Sequence, residues 1–217
     1  MNSREEFIND VIHEKINISI EIVDSQNNFI GRLVPLTISL LGNVEIMTKM
    51  AEWRNKVGPY FLTQFHATVE SRRDWLKDVV LKDNSRLLFL IYSPTKLIGQ
   101  YGFKGLSSDM AEIDNLIRGE MGGHPRLIYF TEIALIKWLF QTFQLKKIYG
   151  FVVADNFMAL DLHQSVGFRL TELIPLYKKE LPGKIDFEMG KPGDPSPDGR
   201  YYQKVELVPN DFISEGR

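Results

Sequence analysis

The chain has 217 residues, 44% hydrophobic and 25% charged, a composition that predicts one globular domain with a packed core. Its 26 basic and 28 acidic residues give a formal net charge of -2, which provides no field for a nucleic-acid backbone or an anionic membrane. We therefore expect no nucleic-acid and no membrane partner. Because the chain has no cysteine, disulfides, thiolate metal sites and a cysteine nucleophile are excluded, and we expect no metal.

The N-terminal sequence gives an expectation about location. Residues 1–15 carry charges every few positions and lack the apolar run of a signal peptide. The longest apolar stretches, such as residues 87–92, are too short to cross a bilayer. Both observations predict a cytoplasmic protein.

The first half of the chain combines strand and helix patterns. Strands are favoured by alternating or β-branched runs, and helices by apolar residues at intervals of three and four. The predicted elements are an alternating strand within residues 16–23, a strand at 32–37, amphipathic helices at 44–53 and 70–81 joined through an aromatic-rich loop at 59–68, and a hairpin of strands at 86–92 and 97–103.

The second half alternates strands with helices. Its predicted elements are a strand at 111–117, a glycine-rich segment at 119–125, a long helix at 126–143, a strand at 147–154, a helix at 156–166, a strand at 168–179 that Pro175 could interrupt, and a last strand at 200–208. Proline and glycine crowd residues 182–199, where no element is predicted. This order predicts an α/β fold in which a mixed sheet carries helices on both faces. The run 16–23 and the last strand could pair between subunits, which leaves a homodimer open.

The glycine-rich segment is a candidate phosphate site. Gly119, Gly122 and Gly123 precede the long helix, and Arg118 and Arg126 flank them. A helix N-terminus exposes unpaired N–H groups that stabilise an anion, and glycines allow a close approach. A tight strand-to-helix turn would explain the glycines equally well. Neither the Walker pattern nor the dinucleotide fingerprint is present, so any phosphate bound here belongs to another kind of ligand.

Residues 147–168 resemble the latter half of a GNAT acetyltransferase. In that family a strand ends in asparagine, a helix follows with alanine three residues on, and the helix closes with Leu-Tyr and then Gly-Phe. The matching residues are Asn156, Ala159, Leu162, Gly167 and Phe168. The resemblance covers residues 33–180 and implies a single domain over 1–217, with an N-terminal extension at 1–32 and a C-terminal extension at 181–217 that contains the last strand. It implies a mainly antiparallel central sheet.

Two short motifs resemble one branch of the family. The branch that includes ribosomal-protein and amino-sugar N-acetyltransferases has motifs similar to Trp53-Arg54-Asn55 and Trp75 of this sequence. The phosphate loop departs from the usual Arg/Gln-x-x-Gly-x-Gly/Ala pattern, because its glycines are out of step. The resemblance implies acetyl-CoA as acyl-donor substrate, direct attack without an acyl-enzyme, and donor binding by Leu116, Ile117, Arg118, Gly119, Gly122, Gly123, His124, Asn156 and Ala159. Asn156 could instead simply cap its helix.

Three residues are candidates for proton transfer. His163 stands where the family has the tyrosine that protonates the departing thiolate, and it is either that acid or a filler of the tyrosine's space. Glu112 and Asp114 lie two apart on one strand, so both could face an incoming ammonium. One of them could instead pair with Arg118 or lie in solvent. Glu132 is interpreted as an ordinary solvated or paired residue.

The function that these residues predict is transfer of an acetyl group from acetyl-CoA to the primary amine of a small molecule. A nucleotide-linked amino sugar is the first candidate for the acceptor. The alternatives are a protein N-terminal or lysine acetyltransferase, a catalytically silent acyl-CoA-binding interaction module, and an unrelated α/β phosphate-binding protein.

Overall fold

The computed structural model describes residues 3–213, which form five α-helices and ten strands. In chain order these are α1 (Arg4–Ile12), β1 (Ile20–Val23), β2 (Phe29–Pro35), α2 (Val44–Lys56), β3 (Thr63–Phe65), α3 (Val69–Trp75), β4 (Leu87–Tyr92), β5 (Leu97–Lys104), β6 (Met110–Arg118), α4 (Leu127–Phe143), β7 (Lys147–Val153), α5 (Phe157–Ser165), β8 (Arg169–Leu181), β9 (Lys184–Met189) and β10 (Tyr201–Leu207). A π-helical turn, Leu76–Val80, continues α3.

The strands form one sheet in the order β1-β2-β4-β5-β6-β7-β10-β8-β9-β3. Neighbouring strands are antiparallel, with β6 and β7 the one parallel pair within the described residues. The predicted α/β fold with a mixed, mainly antiparallel sheet is confirmed. No helix in residues 3–213 is long and apolar enough to cross a membrane.

The main core lies between the sheet and α4. The apolar residues of α4 recur at the helical period, so they form a face that packs on the strands. Trp138 of α4 contacts the rings of Phe89 and Phe103, at centroid distances of 5.8 and 6.2 Å. Phe7 of α1 lies 6.5 Å from the same indole, so the N-terminal helix is part of this core.

A second, smaller core lies at the far side of the sheet, where Phe187 of β9 packs with Tyr202 of β10. Two of the strands there were not predicted from the sequence: β3 falls in the predicted loop at 59–68, and β9 falls in the segment 182–199. Both strands are short, and β3 pairs with a strand more than a hundred residues away. Neither local pattern nor turn residues could have indicated that pairing.

Pro175 does not interrupt β8. The strand pairs with β10 up to Pro175 and with β9 from Leu176 onwards, so proline stands where the strand changes partner. The carbonyl of Pro175 accepts from Gly190 at 2.8 Å. The expectation that the last strand could pair between subunits is wrong, because β10 is bonded on both sides by β7 and β8. β1 is an edge strand.

Candidate active site

The parallel strands β6 and β7 separate into a wedge. They pair only over Met110–Glu112 and Lys147–Tyr149, although both strands continue well beyond that point. Asn115 has a φ of 57° at an irregularity in the β5–β6 register, which bends β6. Beyond Glu112 the facing backbone groups of the two strands do not pair with each other. The wedge therefore exposes strand edges that a ligand can join, and Leu116, Ile117 and Arg118 lie on its β6 side.

The loop after β6 has the properties of an anion site. Gly122 and Gly123 have φ values of 112° and 74°, which favour glycine. Within residues 3–213 the N–H groups of residues 121–124 find no protein acceptor. The ammonium group of Lys96 lies beside this loop, since a Cβ on Gly122 would be 3.2 Å from its Nζ. The guanidinium of Arg118 lies 3.5 Å from the carbonyl oxygens of Glu120 and Gly122. Free amides and two cations thus surround one exposed turn.

Gly119 has a different role from the one predicted. Its N–H donates to the carbonyl of Ile98 at 2.9 Å, so it is not available to a ligand. A Cβ on Gly119 would lie 2.1 Å from the buried indole of Trp53. Trp53 also donates from Nε1 to the Glu120 carboxylate at 3.0 Å. Glycine is required at this position because β6 passes against α2.

His124 shapes the start of α4. Its Nδ1 accepts from the N–H of Arg126 at 3.2 Å, and its carbonyl accepts from Leu127 at 2.9 Å. The ring lies 5.7 Å from that of Phe130. The side chain is therefore occupied with the helix N-terminus, while the His124 N–H has no acceptor within residues 3–213.

A buried acid–base pair joins α4 and α5. Nδ1 of His163 lies 2.5 Å from Oε1 of Glu132, and both residues are buried. The His163 ring packs at 5.3 Å from Phe168. Among the described residues, Nε2 of His163 has no hydrogen-bond partner. Glu132, interpreted from sequence as solvated or paired, is wholly enclosed and paired. This arrangement orients the imidazole and leaves one nitrogen to exchange a proton.

Tyr101 completes the surroundings of this pair. Its hydroxyl is buried without a partner in the described structure, as is Oε2 of Glu132. Burial, together with the Glu132 carboxylate, raises the pKa of Tyr101 well above its ordinary value. The phenol therefore stays protonated, so it adds no negative charge beside the pair.

Glu112 and Asp114 share a face of β6, as predicted, but neither is open. Nζ of Lys104 lies 3.0 Å from Glu112 and 3.5 Å from Asp114. The suggested pairing with Arg118 is not found, since that guanidinium contacts backbone carbonyls. Burial raises the pKa of Glu112, and Lys104 opposes that shift. The two carboxylates and the lysine form one charged cluster.

Asn156 caps α5. Its Oδ1 accepts from the N–H of Ala159 at 3.3 Å, which is the alternative to a ligand contact that the sequence left open. The Ala159 amide is thereby occupied. Asn156 nevertheless lies three residues after the end of β7, on the side where the wedge opens.

Two buried arginines, Arg54 on α2 and Arg72 on α3, were not predicted as site residues. Of the two, only Arg54 belongs to a motif described above, Trp53-Arg54-Asn55. The spacing places both arginines on the buried face of their helices, because Arg54 follows buried Met50 by four residues and Arg72 precedes buried Leu76 by four. A charged residue on the apolar face of a helix is rarely buried without a partner.

The comparisons with known proteins agree with this geometry. The family described as "Acetyltransferase (GNAT) domain" matches residues 32–169. The chain therefore belongs to the GNAT acetyltransferases, which are acetyl-CoA-dependent N-acetyltransferases. No curated protein matches the chain in sequence.

Several solved structures share the fold at low sequence identity. Spermidine N-acetyltransferase from Vibrio cholerae, in complex with CoA and spermine, has a TM-score of 0.60 at 15% identity, covering 82% of this chain and 95% of that one. Ribosomal-protein-S5-alanine acetyltransferase from Vibrio fischeri has 0.63 at 14%, covering 91% and 100%. Campylobacter jejuni N-acetyltransferase PseH, in complex with acetyl coenzyme A, has 0.51 at 16%, covering 82% and 97%.

Proposed function

We propose that this acetyltransferase moves the acetyl group of acetyl-CoA to the primary amine of a small molecule, with a nucleotide-linked amino sugar as the first candidate acceptor. The observation that best supports the catalytic part of this proposal is the buried, hydrogen-bonded pair of Glu132 and His163. Because α4 follows β6 and α5 follows β7, this pair links the two helices across the wedge. We therefore assign the proton donor of the reaction to this pair.

The donor's pyrophosphate fits the turn after β6. The open N–H groups of residues 121–124 supply hydrogen bonds, and Lys96 and Arg118 supply positive charge. The open edge of β6 at residues 116–118 supplies backbone groups to the thioester arm. The carboxamide nitrogen of Asn156 can donate to an amide of the same arm, since its oxygen already caps α5.

The chemistry needs no acyl-enzyme. A neutral amine attacks the thioester carbonyl, a C–N bond forms, the C–S bond breaks, and the departing thiolate takes a proton. We assign that proton to Nε2 of His163, whose ring is oriented through Nδ1 by Glu132. The imidazole replaces the tyrosine that the family has at this position.

The proton released by the amine needs an acceptor, and Glu112 suits this role better than Asp114. Burial raises the pKa of Glu112, which moves its affinity for a proton towards the working pH. Lys104 holds the carboxylate in place at 3.0 Å. Asp114 then contributes negative charge that attracts an ammonium group.

The test is acetyl transfer to a panel of amines, read as free CoA by a thiol reagent. The chain has no cysteine, so the protein itself gives no background signal. The panel contains amino sugars with and without a nucleotide, polyamines and peptides with free N-termini. We expect turnover with small amines; turnover with peptides alone would replace the small-molecule acceptor by a protein N-terminus or lysine.

Binding is measured beside turnover by thermal shift with acetyl-CoA, CoA and ATP. We expect both CoA species to stabilise the protein and ATP to have no comparable effect. Stabilisation without turnover on any amine would favour the silent acyl-CoA-binding module.

A further inference from the structure

Two buried arginines have no acidic partner among residues 3–213. Arg54, near the end of α2, is 5% exposed, and Arg72, on α3, is 6% exposed. Neither forms an ion pair with any carboxylate of residues 3–213. Burial and then the charge of Arg72 lower the pKa of Arg54 to about 10, and burial lowers that of Arg72 to about 10. Both guanidinium groups therefore remain charged at neutral pH, and a buried charge without a counter-charge is unfavourable.

Aromatic rings enclose the two cations. The guanidinium carbon of Arg54 lies 3.7 Å from the ring centre of Phe61, and that of Arg72 lies 4.9 Å from Trp75. Each is 5.5 Å from the ring centre of Phe65. The two guanidinium groups are thus both neighbours of one ring, that of Phe65. The faces of these rings stabilise positive charge only in part.

Most of their hydrogen-bond donors are unused. Arg54 donates from Nη2 to the carbonyl of Thr63, which ties α2 to β3. Its Nη1 and the Nε of Arg72 are enclosed without an acceptor in the described structure. The side chain of Arg72 donates no hydrogen bond to any of residues 3–213. A purely structural role, which would join α2 to the segment that leads to α3, accounts for one side-chain hydrogen bond of Arg54. It accounts for no side-chain hydrogen bond of Arg72.

The arginines lie on helices that contact β6. Trp75, which packs on the guanidinium of Arg72, lines the same narrow crevice as Asp114 and Asn115. Arg54 directly follows Trp53, whose indole lies against Gly119 at the end of β6. Both cations are thus carried by segments that pack beside the strand that bears Glu112 and Asp114.

We propose that Arg54 and Arg72 bind an anionic group carried by the acceptor amine, a carboxylate or a phosphate ester. The planar guanidinium group binds either anion through paired N–H donors. A bound anion would supply the missing counter-charge and satisfy the enclosed nitrogens. This inference rests on the proposed function and narrows the acceptor to amines that also carry negative charge.

The test compares matched acceptors that differ only in the anionic group. Glucosamine 6-phosphate is paired with glucosamine, and an amino acid with its amide, so that the two arms separate phosphate from carboxylate. We expect kcat/KM to be at least about tenfold higher for the anionic member of one pair. Arg72→Met and Arg54→Met should remove that preference through KM, and the KM for acetyl-CoA should stay unchanged.

The matched control is Lys77→Met, which removes one positive charge from an exposed position of the same helical segment. Lys77→Met should keep the preference for the anionic member of each acceptor pair. Equal rates for both members of every pair, or a preference that survives Arg72→Met, would overturn the proposal.

A measurement without turnover separates this inference from the proposed function. Thermal denaturation is followed with inorganic phosphate as probe, for the parent, Arg72→Met and Lys77→Met. Without phosphate, Arg72→Met should melt no lower than the parent, because it replaces an unpaired charge by an apolar chain. The phosphate-induced rise should shrink in Arg72→Met alone.

Two outcomes then have distinct meanings. A melting temperature clearly below that of the parent would assign Arg72 a structural role and sink the proposed anion site. An Arg72-dependent phosphate effect without acetylation of any amine would leave the anion site in place and count against the proposed function.

Discussion

Gly119 lies directly against the indole of Trp53, so close that a Cβ would come within 2.1 Å of the ring. Trp53 is fully buried and donates to Glu120 at 3.0 Å. Through this contact α2, which carries Arg54, is fixed to the segment that leads into the phosphate loop. The two halves of the candidate site are thereby held in one position relative to each other.

Replacing Gly119 by alanine should destabilise the protein by about 1–3 kcal/mol, because a rigid ring cannot yield to an added methyl group. Urea denaturation measures the loss. Gly42→Ala is the matched control, since no atom of residues 3–213 lies within 4 Å of its Cβ position. That variant should stay within about 0.5 kcal/mol of the parent. Equal stability of the two variants would contradict the packing role.

Replacing Gly122 by alanine should weaken acetyl-CoA binding about tenfold. The φ of 112° is unfavourable for alanine, and the added Cβ would meet Lys96 at 2.9 Å. Gly193→Ala is the control, because Gly193 has a φ of 92° and its Cβ position has no neighbour within 4 Å in the described part of the chain. Both variants carry backbone strain of about 1–3 kcal/mol, but only Gly122→Ala should change the Kd measured by calorimetry. Unchanged affinity in Gly122→Ala would remove the phosphate assignment.

Replacing His163 by glutamine should lower kcat about 100-fold with little change in either KM, because glutamine keeps a hydrogen bond to Glu132 but cannot act as the acid. Steady-state kinetics with saturating acetyl-CoA measure the effect. A thermal melt shows whether the variant is folded. Full activity in a folded His163→Gln protein would leave His163 as a filler of the tyrosine's space.

Replacing Glu112 by glutamine should change how the rate depends on pH. A base must be deprotonated, so activity rises as pH increases through its pKa, and burial moves that rise above the pH of an ordinary glutamate, about 4.3. Glu112→Gln should lower kcat about 100-fold and remove the rise. Asp114→Asn, which changes the other partner of Lys104, should keep the rise of the rate with pH. A rise retained in Glu112→Gln would assign the proton to another group.

The sequence alone determined the elements whose pattern is local. The β4–β5 hairpin, the helix from 127 to 143 and the helix capped by Asn156 all follow from apolar periodicity and turn or cap residues. The same local order, with the Asn-Ala-Leu-Gly-Phe spacing, was sufficient to indicate the family.

The candidate site was only partly predictable. The open loop at 121–124 and the likeness of His163 to the family's tyrosine could be inferred from sequence neighbours. The packing role of Gly119 could not be inferred, because its partner Trp53 lies on a helix that is distant in sequence. The burial of Arg72 could not be predicted either, because it depends on aromatic rings that the α2–α3 connection brings close to it.

Tertiary structure alone decided which groups face each other. Glu132 and His163 are thirty-one residues apart, and β3 and β9 pair across more than a hundred. Contacts of that kind depend on how helices and strands pack, and a side chain's charge environment follows from the packing. A sequence fixes local periodicity because neighbours along the chain dictate it, whereas pairing between distant residues depends on the free energy of the whole assembled core.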